Sequence, residues 1–251
     1  MLDEVRVVSE KLNAEGVPDQ TLDCMNRMKT SCVPAGMAVQ VPPIVRVNTE
    51  LPVVYLARHG ETAWSLTGQH TGLTDLPLTE RGERNARALG QRLKGLKFEK
   101  VFTSPLLRAR RTCELAGFGG AAEVDRDLME WNYGEYEGRR TSEILSERPG
   151  WQLFRDGCPG GESPDQVGAR ADRVVSRLRA IQKDVLLFSS GHFLRVLAAR
   201  WLNLEPAGGR YFLLSTASLS ALGYEHNLCE PVICLWDDCR HVETDSAKGR
   251  T

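Results

Sequence analysis

The chain has 251 residues, of which 41% are apolar and 26% charged, with a net charge of −1. That is enough to bury one substantial core, and it lacks the basic excess of a general nucleic-acid binder. No apolar run is long enough to cross a bilayer, and Asp3, Glu4 and Glu10 stand where a signal peptide needs basic and apolar residues. The expected setting is cytoplasmic, with no membrane partner. Seven cysteines (Cys24, Cys32, Cys113, Cys158, Cys229, Cys234 and Cys239) form no Cys-x-x-Cys pair. The even spacing of Cys229, Cys234 and Cys239 fits no common zinc pattern, so free thiols in a reducing compartment are expected, with no metal and no other cofactor.

Residues 1–50 read as an extension or linker: a weakly helical start to about Asn13, then Gly16-Val17-Pro18 and Val41-Pro42-Pro43. From residue 51 to residue 240, apolar runs alternate with helical segments, the signature of βα units. Pro52 to Ala57 reads as a buried strand, and Arg81 to Leu96 as a helix with Ala86, Leu89, Leu93 and Leu96 on one face. Glu99 to Thr103 is a second strand. Ser104-Pro105 then gives a cap and a first-turn proline for a helix running to about Ala116. Ser163-Pro164-Asp165-Gln166 starts another helix with a capping box. Asp184 to Ser189 is the clearest buried strand, and the segment after Gly191-His192 continues as a helix. Ala217–Tyr224 and Pro231–Trp236 read as strands flanking a turn at His226-Asn227, followed by a polar tail over 241–251. The expected architecture is three-layer α/β/α around a mostly parallel sheet.

Two histidines, His59 and His192, directly follow predicted strands. In open α/β sheets ligands bind beyond the carboxyl ends of the strands, so two such histidines point to one shared pocket. Arg58 precedes His59, Gly60 follows it where the backbone must turn, and Arg108 falls in the first turn after another strand end. Each arginine alone reads as a solvated surface charge, the usual fate of an arginine. Together, guanidinium forks match phosphate oxygens bidentately, and a histidine between two of them suits in-line phosphoryl transfer. Glu130, in Leu128 to Gly134, is the candidate acid for the leaving oxygen.

At these residues the sequence resembles the histidine phosphatase superfamily, with its phosphoglycerate mutase-like fold. Arg58-His59-Gly60-Glu61-Thr62 resembles the family's first signature, and Ser104 to Thr112 the second. Glu130 with Tyr133-Gly134 resembles the acid segment, and Gly191-His192 the second-histidine segment. The resemblance implies that His59 takes the phosphoryl group while Arg58, Arg108 and His192 hold it. Glu130 would protonate the leaving oxygen and then activate water, with no metal. It also implies substrate contacts at Ser65, where many members have asparagine, at the Thr71-Gly72 backbone, and at Tyr133 and Phe193.

Only about thirty residues separate Gly134 from Ser163, so the long insertion that covers the site of the related mutases is absent, and hydrolysis is favoured over return of the phosphate. The run Ser65 to Leu78 and the segment Thr216 to Trp236 resemble the sugar bisphosphatases of the fungal sedoheptulose 1,7-bisphosphatase type. A second phosphate then calls for another cation, Arg195 first and Arg139 second. The expected partner is a small phosphorylated metabolite, and a homo-oligomer is left open. The alternatives are a phosphoglycerate mutase, a fructose-2,6-bisphosphatase-like activity, or a non-catalytic regulatory member, the last opposed by retention of both His59 and Glu130.

Overall fold

Val53 to Ala57 send alternate side chains into two different cores, and so do Val185 to Phe188. Val54, Leu56, Val185 and Leu187 enter one; Val53, Tyr55, Ala57, Leu186 and Phe188 enter the other. Strands apolar on both sides are stable only when covered on both faces, which makes the middle of a three-layer fold. The computed structural model describes residues 50–242. The extension predicted for 1–50, with its helical start, and nearly all of the predicted tail lie outside the described residues.

Strand β1 is Val54–Arg58, β2 Lys100–Thr103, β3 Ala122–Val124, β4 Val185–Ser189, β5 Leu219–Tyr224 and β6 Pro231–Asp238. They form one sheet in the order β3-β2-β4-β1-β5-β6. The pairs β3·β2, β2·β4 and β4·β1 are parallel, whereas β5 and β6 run antiparallel at one edge. Helices α1 (Ala63–Thr67), α2 (Glu80–Arg92), α3 (Leu107–Leu115), α4 (Thr141–Glu147), α5 (Leu153–Asp156), α6 (Pro164–Ile181) and α7 (Gly191–Trp201) connect them. Leu89 of α2 and Cys113 of α3 cover one face of the sheet. Val167, Ala171 and Val174 of α6 and Phe193, Leu194, Val196, Leu197 and Ala198 of α7 cover the other.

The predicted capping box of α6 is present: Ser163 Oγ accepts from the Gln166 N–H, and the Gln166 side chain accepts from the Ser163 N–H. The predicted start of α3 is corrected. The helix begins two residues after Ser104-Pro105, with Leu106 in the cap position and no side-chain cap of its own. Ser104 Oγ instead accepts from the nearby Leu106 N–H at 3.4 Å, and the Leu107 N–H is taken by Asp75 Oδ1 at 2.7 Å. The cap is supplied by a loop far away in sequence.

Chain connections leave β1 and β4 in opposite directions. From β1 the chain crosses through α2 to β2; from β4 it crosses through α7, on the other face, to β5. The carboxyl ends of these two adjacent strands are therefore a topological switch point, where the diverging connections leave a crevice.

Candidate active site

Register aligns the strand ends at that crevice. Arg58 pairs with Ser189, and Thr103 with Phe188. The His59 N–H donates to the Ser189 carbonyl at 2.9 Å, and the Ser104 N–H to the Phe188 carbonyl at 2.9 Å. His59, His192 and the start of α3 thus emerge at one edge. An open cleft of about 230 Å³ lies there, with Arg58, His59, Glu130, Tyr133, His192 and Arg195 on its wall. A space of that size takes a small metabolite.

His59 is buried, and its Nδ1 lies 2.7 Å from the Gly60 carbonyl. Only a protonated nitrogen can donate to that oxygen, so Nδ1 carries the proton and Nε2 keeps its lone pair. Burial pushes the His59 pKa well down, and the Arg108 and Arg58 charges push it further. The ring is held neutral, as a nucleophile must be. Gly60 is needed for space rather than for the turn predicted from sequence. A Cβ there would come within 2.6 Å of the Gly82 carbonyl oxygen in α2.

Arg58 is partly buried; its Nη1 donates to the Leu214 carbonyl and its buried Nε has no protein partner. A Cβ on Gly191 would lie 3.1 Å from that Nε, so glycine at the start of α7 gives the guanidinium its room. Arg108 is wholly buried and is not itself on the cleft wall. Its Nη1 donates to the Thr74 carbonyl (3.0 Å) and its Nη2 to the carbonyls of Thr71 (3.0 Å) and Gly72 (2.8 Å), while its Nε too is left without a partner. A buried N–H without an acceptor is costly, and two beside one histidine suit an anion.

Glu130 is buried. Its Oε1 accepts from the Trp131 (2.9 Å) and Phe193 (2.8 Å) N–H groups, and its Oε2 from His192 N–H (3.0 Å). The carboxyl is thereby seated on the first turn of α7, with Oε2 the less occupied oxygen. The Tyr133 hydroxyl meets His192 Nδ1 at 2.5 Å. Burial holds the Tyr133 phenol well above its ordinary range and the His192 imidazole well below. With the hydroxyl donating to Nδ1, His192 presents its Nε2–H as a neutral donor.

Of the predicted substrate contacts, Ser65, Thr71, Tyr133 and Arg195 line the cleft. Three others are not among the residues on its wall. Phe193 is fully buried in the core beneath the Arg170 guanidinium, and only its backbone serves the site, through Glu130. Gly72 is not on the wall: its N–H is spent on Glu137 Oε1, and a Cβ would strike Glu137 Oε2 and the Trp131 carbonyl, both at 2.6 Å. Arg139 does not line the cleft either; it pairs with Glu147 at 2.6 Å and covers the Tyr136 ring. The sequence assigns no role to His70, Gln69 and Thr141, which also line the cleft. His70 carried one signal, its place directly before Thr71-Gly72; Thr141 carried none.

The electrostatics give a testable order of protonation. Because burial and two arginines lower the His59 pKa, its neutral form should persist as pH falls through 6.5, where an ordinary histidine is half protonated. NMR titration of the imidazole resonances should show neutral-ring shifts for His59 and His192 at pH 6.5 and clearly below it. A His59 midpoint at 6.5 would remove the electrostatic argument.

The fold and the site define an α/β protein that offers an anion a neutral histidine set among arginines, at a switch-point cleft. The profile of the Histidine phosphatase superfamily (branch 1) matches residues 54–237, and the chain belongs to that superfamily; it is a phosphatase. It is 43% identical over 177 residues to an acid phosphatase of Mycobacterium tuberculosis (69% of this chain, 87% of that one). It is 39% identical over 186 residues to the sedoheptulose 1,7-bisphosphatase of Saccharomyces cerevisiae (61% of this chain, 68% of that one). A solved structure of an open reading frame product from Mycobacterium tuberculosis superposes with a TM-score of 0.71 at 39% identity, covering 74% of this chain and 97% of that one.

Proposed function

We propose that the chain hydrolyses a small phosphorylated metabolite through a phosphohistidine at His59, and that a sugar bisphosphate such as sedoheptulose 1,7-bisphosphate suits it best. The observation that carries the reading is the His59 tautomer: Nδ1 is tied to the Gly60 carbonyl, so Nε2 is the reactive nitrogen. Its lone pair attacks phosphorus, the P–O ester bond breaks, and the electron pair leaves on the substrate oxygen. The Glu130 carboxyl gives that oxygen its proton. Water then attacks phosphorus, Glu130 takes a proton from it, and the P–N bond breaks to release phosphate. The unpartnered Nε–H of Arg58 and the Nε2–H of His192 are the donors for the phosphoryl oxygens, with the buried Arg108 charge close to His59 adding to the field there.

Arg195 supports the bisphosphate. It stacks over Phe154, and its Nε and Nη2 donate to the carbonyls of Gly209 and Arg210 at 3.0 Å each, leaving Nη1 for a ligand in the cleft. Similarity to the yeast bisphosphatase points the same way. The cytoplasmic reading stands on the cysteines, which among the described residues are all free thiols, and no helix among those residues is long and apolar enough to cross a membrane.

A metal-free panel of sedoheptulose 1,7-bisphosphate, fructose bisphosphates, 3-phosphoglycerate and phosphotyrosine peptides tests the proposal. A clear preference for the seven-carbon bisphosphate is expected, and equal slow turnover of all would sink it. Arg195→Ala should raise KM for the bisphosphate about tenfold while the monophosphate KM moves less, the loss of one charge-assisted contact.

A further inference from the structure

His70 is a third histidine on the cleft wall and has no part in the proposed phosphoryl transfer. Its backbone is fixed on both sides: the N–H donates to the Arg139 carbonyl at 2.9 Å, and the carbonyl accepts from the Gly138 N–H at 2.8 Å. Its ring packs 4.8 Å from that of Tyr133, 5.8 Å from that of Trp151 and 6.0 Å from that of His192. So held, it places Nε2 at 3.3 Å from Thr141 Oγ1, a hydroxyl that also lines the cleft. Nδ1 has no protein partner among the described residues. Burial lowers the His70 pKa, against the pull of Glu137, and keeps the ring neutral.

A neutral imidazole paired with a hydroxyl offers what the cleft's cations do not. Arg58 and Arg195 only donate hydrogen bonds, whereas the His70–Thr141 pair both donates and accepts. Most other uncharged polar side chains of the wall are engaged: Thr71 Oγ1 donates to the Gln69 carbonyl at 3.3 Å, and the Tyr133 hydroxyl is tied to His192 Nδ1. Ser65 Oγ accepts from the Thr62 N–H and donates to the Thr62 carbonyl. The Gln69 amide is divided between the Gly138 carbonyl and Thr67 Oγ1. Glu130 is seated on α7. A ligand hydroxyl, which needs one donor and one acceptor, therefore finds both at His70 and Thr141.

We infer that His70 and Thr141 form a hydroxyl-reading subsite that takes the polyol part of a phosphorylated substrate and sets specificity away from the phosphoryl group. The inference rests on the proposal that this cleft handles a small hydroxylated phosphate ester. Its test compares sedoheptulose 1,7-bisphosphate with phenyl phosphate, an ester without hydroxyls. His70→Phe keeps an aromatic ring between Tyr133 and Trp151 but removes the nitrogens. It should lower the ratio of kcat/KM for the sugar ester to that for phenyl phosphate about tenfold, chiefly through the sugar's KM, as expected for one hydrogen bond. Thr141→Val, which keeps the side-chain shape, should move the ratio in the same direction if His70→Phe does not fold. A ratio unchanged in both variants, whether the two substrates fall together or neither falls, overturns the subsite. Wild-type protein that does not favour the sugar ester overturns the subsite and the substrate reading together, and that result is visible before any variant is made.

Discussion

Replacing His59 by alanine should lower turnover by at least about 10⁴-fold, since the proposed route forms its bond to phosphorus at His59 Nε2. The backbone contacts of residue 59 survive the change. Its N–H still reaches the Ser189 carbonyl and its carbonyl still accepts from the Ala217 N–H. The strand end should remain in place, so the loss belongs to the imidazole. Rapid quench with labelled substrate separates this from general damage: wild-type protein should carry an acid-labile, base-stable label on His59, and His59→Ala none. Unchanged hydrolysis in the variant would mean that the nucleophile lies elsewhere.

Arg108→Ala is expected to lower kcat/KM by about 10²- to 10³-fold, and unlike the His59 change it should also cost about 3 kcal/mol of stability. The stability loss arises because the guanidinium serves the Thr71, Gly72 and Thr74 carbonyls, which would lose a buried donor. Those residues form the loop that Glu137 grips from its other side through the Gly72 and Thr74 N–H groups. Urea unfolding and steady-state kinetics read the two effects separately. Arg108→Lys restores charge but not the fork, and should recover stability only in part while staying slow. The Arg108 charge also disfavours protonation of His59, so its removal should shift the His59 NMR midpoint upward, toward 6.5. A midpoint that stays put would separate Arg108 from the nucleophile.

How far the sequence could be read depended on whether each signal was local. The α6 cap was legible because Ser163, Pro164 and Gln166 are neighbours whose side chains and backbone satisfy each other. The start of α3 is not legible locally, because Ser104-Pro105 gives the same signal while the N–H that needs a partner is met by Asp75 across the fold. From sequence, Gly60 suits a turn and Gly72 a close substrate approach. Both are needed for packing, against α2 and against the Glu137–Trp131–Tyr133 region, and such contacts leave no mark in a run of residues. Phe193 lies one position after His192, yet helix geometry turns its side chain into the core.

The sequence by itself determined the βα order, the two-sided burial of β1 and β4, and the placing of Arg58, His59 and His192 at strand ends, with Arg108 and Glu130 as candidates beside them. These follow from hydrophobic period and from motif residues placed where strands stop, both properties of short stretches. Only the tertiary structure decided which nitrogen of His59 carries the proton, that Glu130 sits on the first turn of α7, and that Arg195 rather than Arg139 faces the cleft. It also brought His70 and Thr141 to one wall. The physical reason is that hydrogen-bond partners and cleft walls are set by distances between segments far apart in the chain, and no local pattern of side chains encodes those.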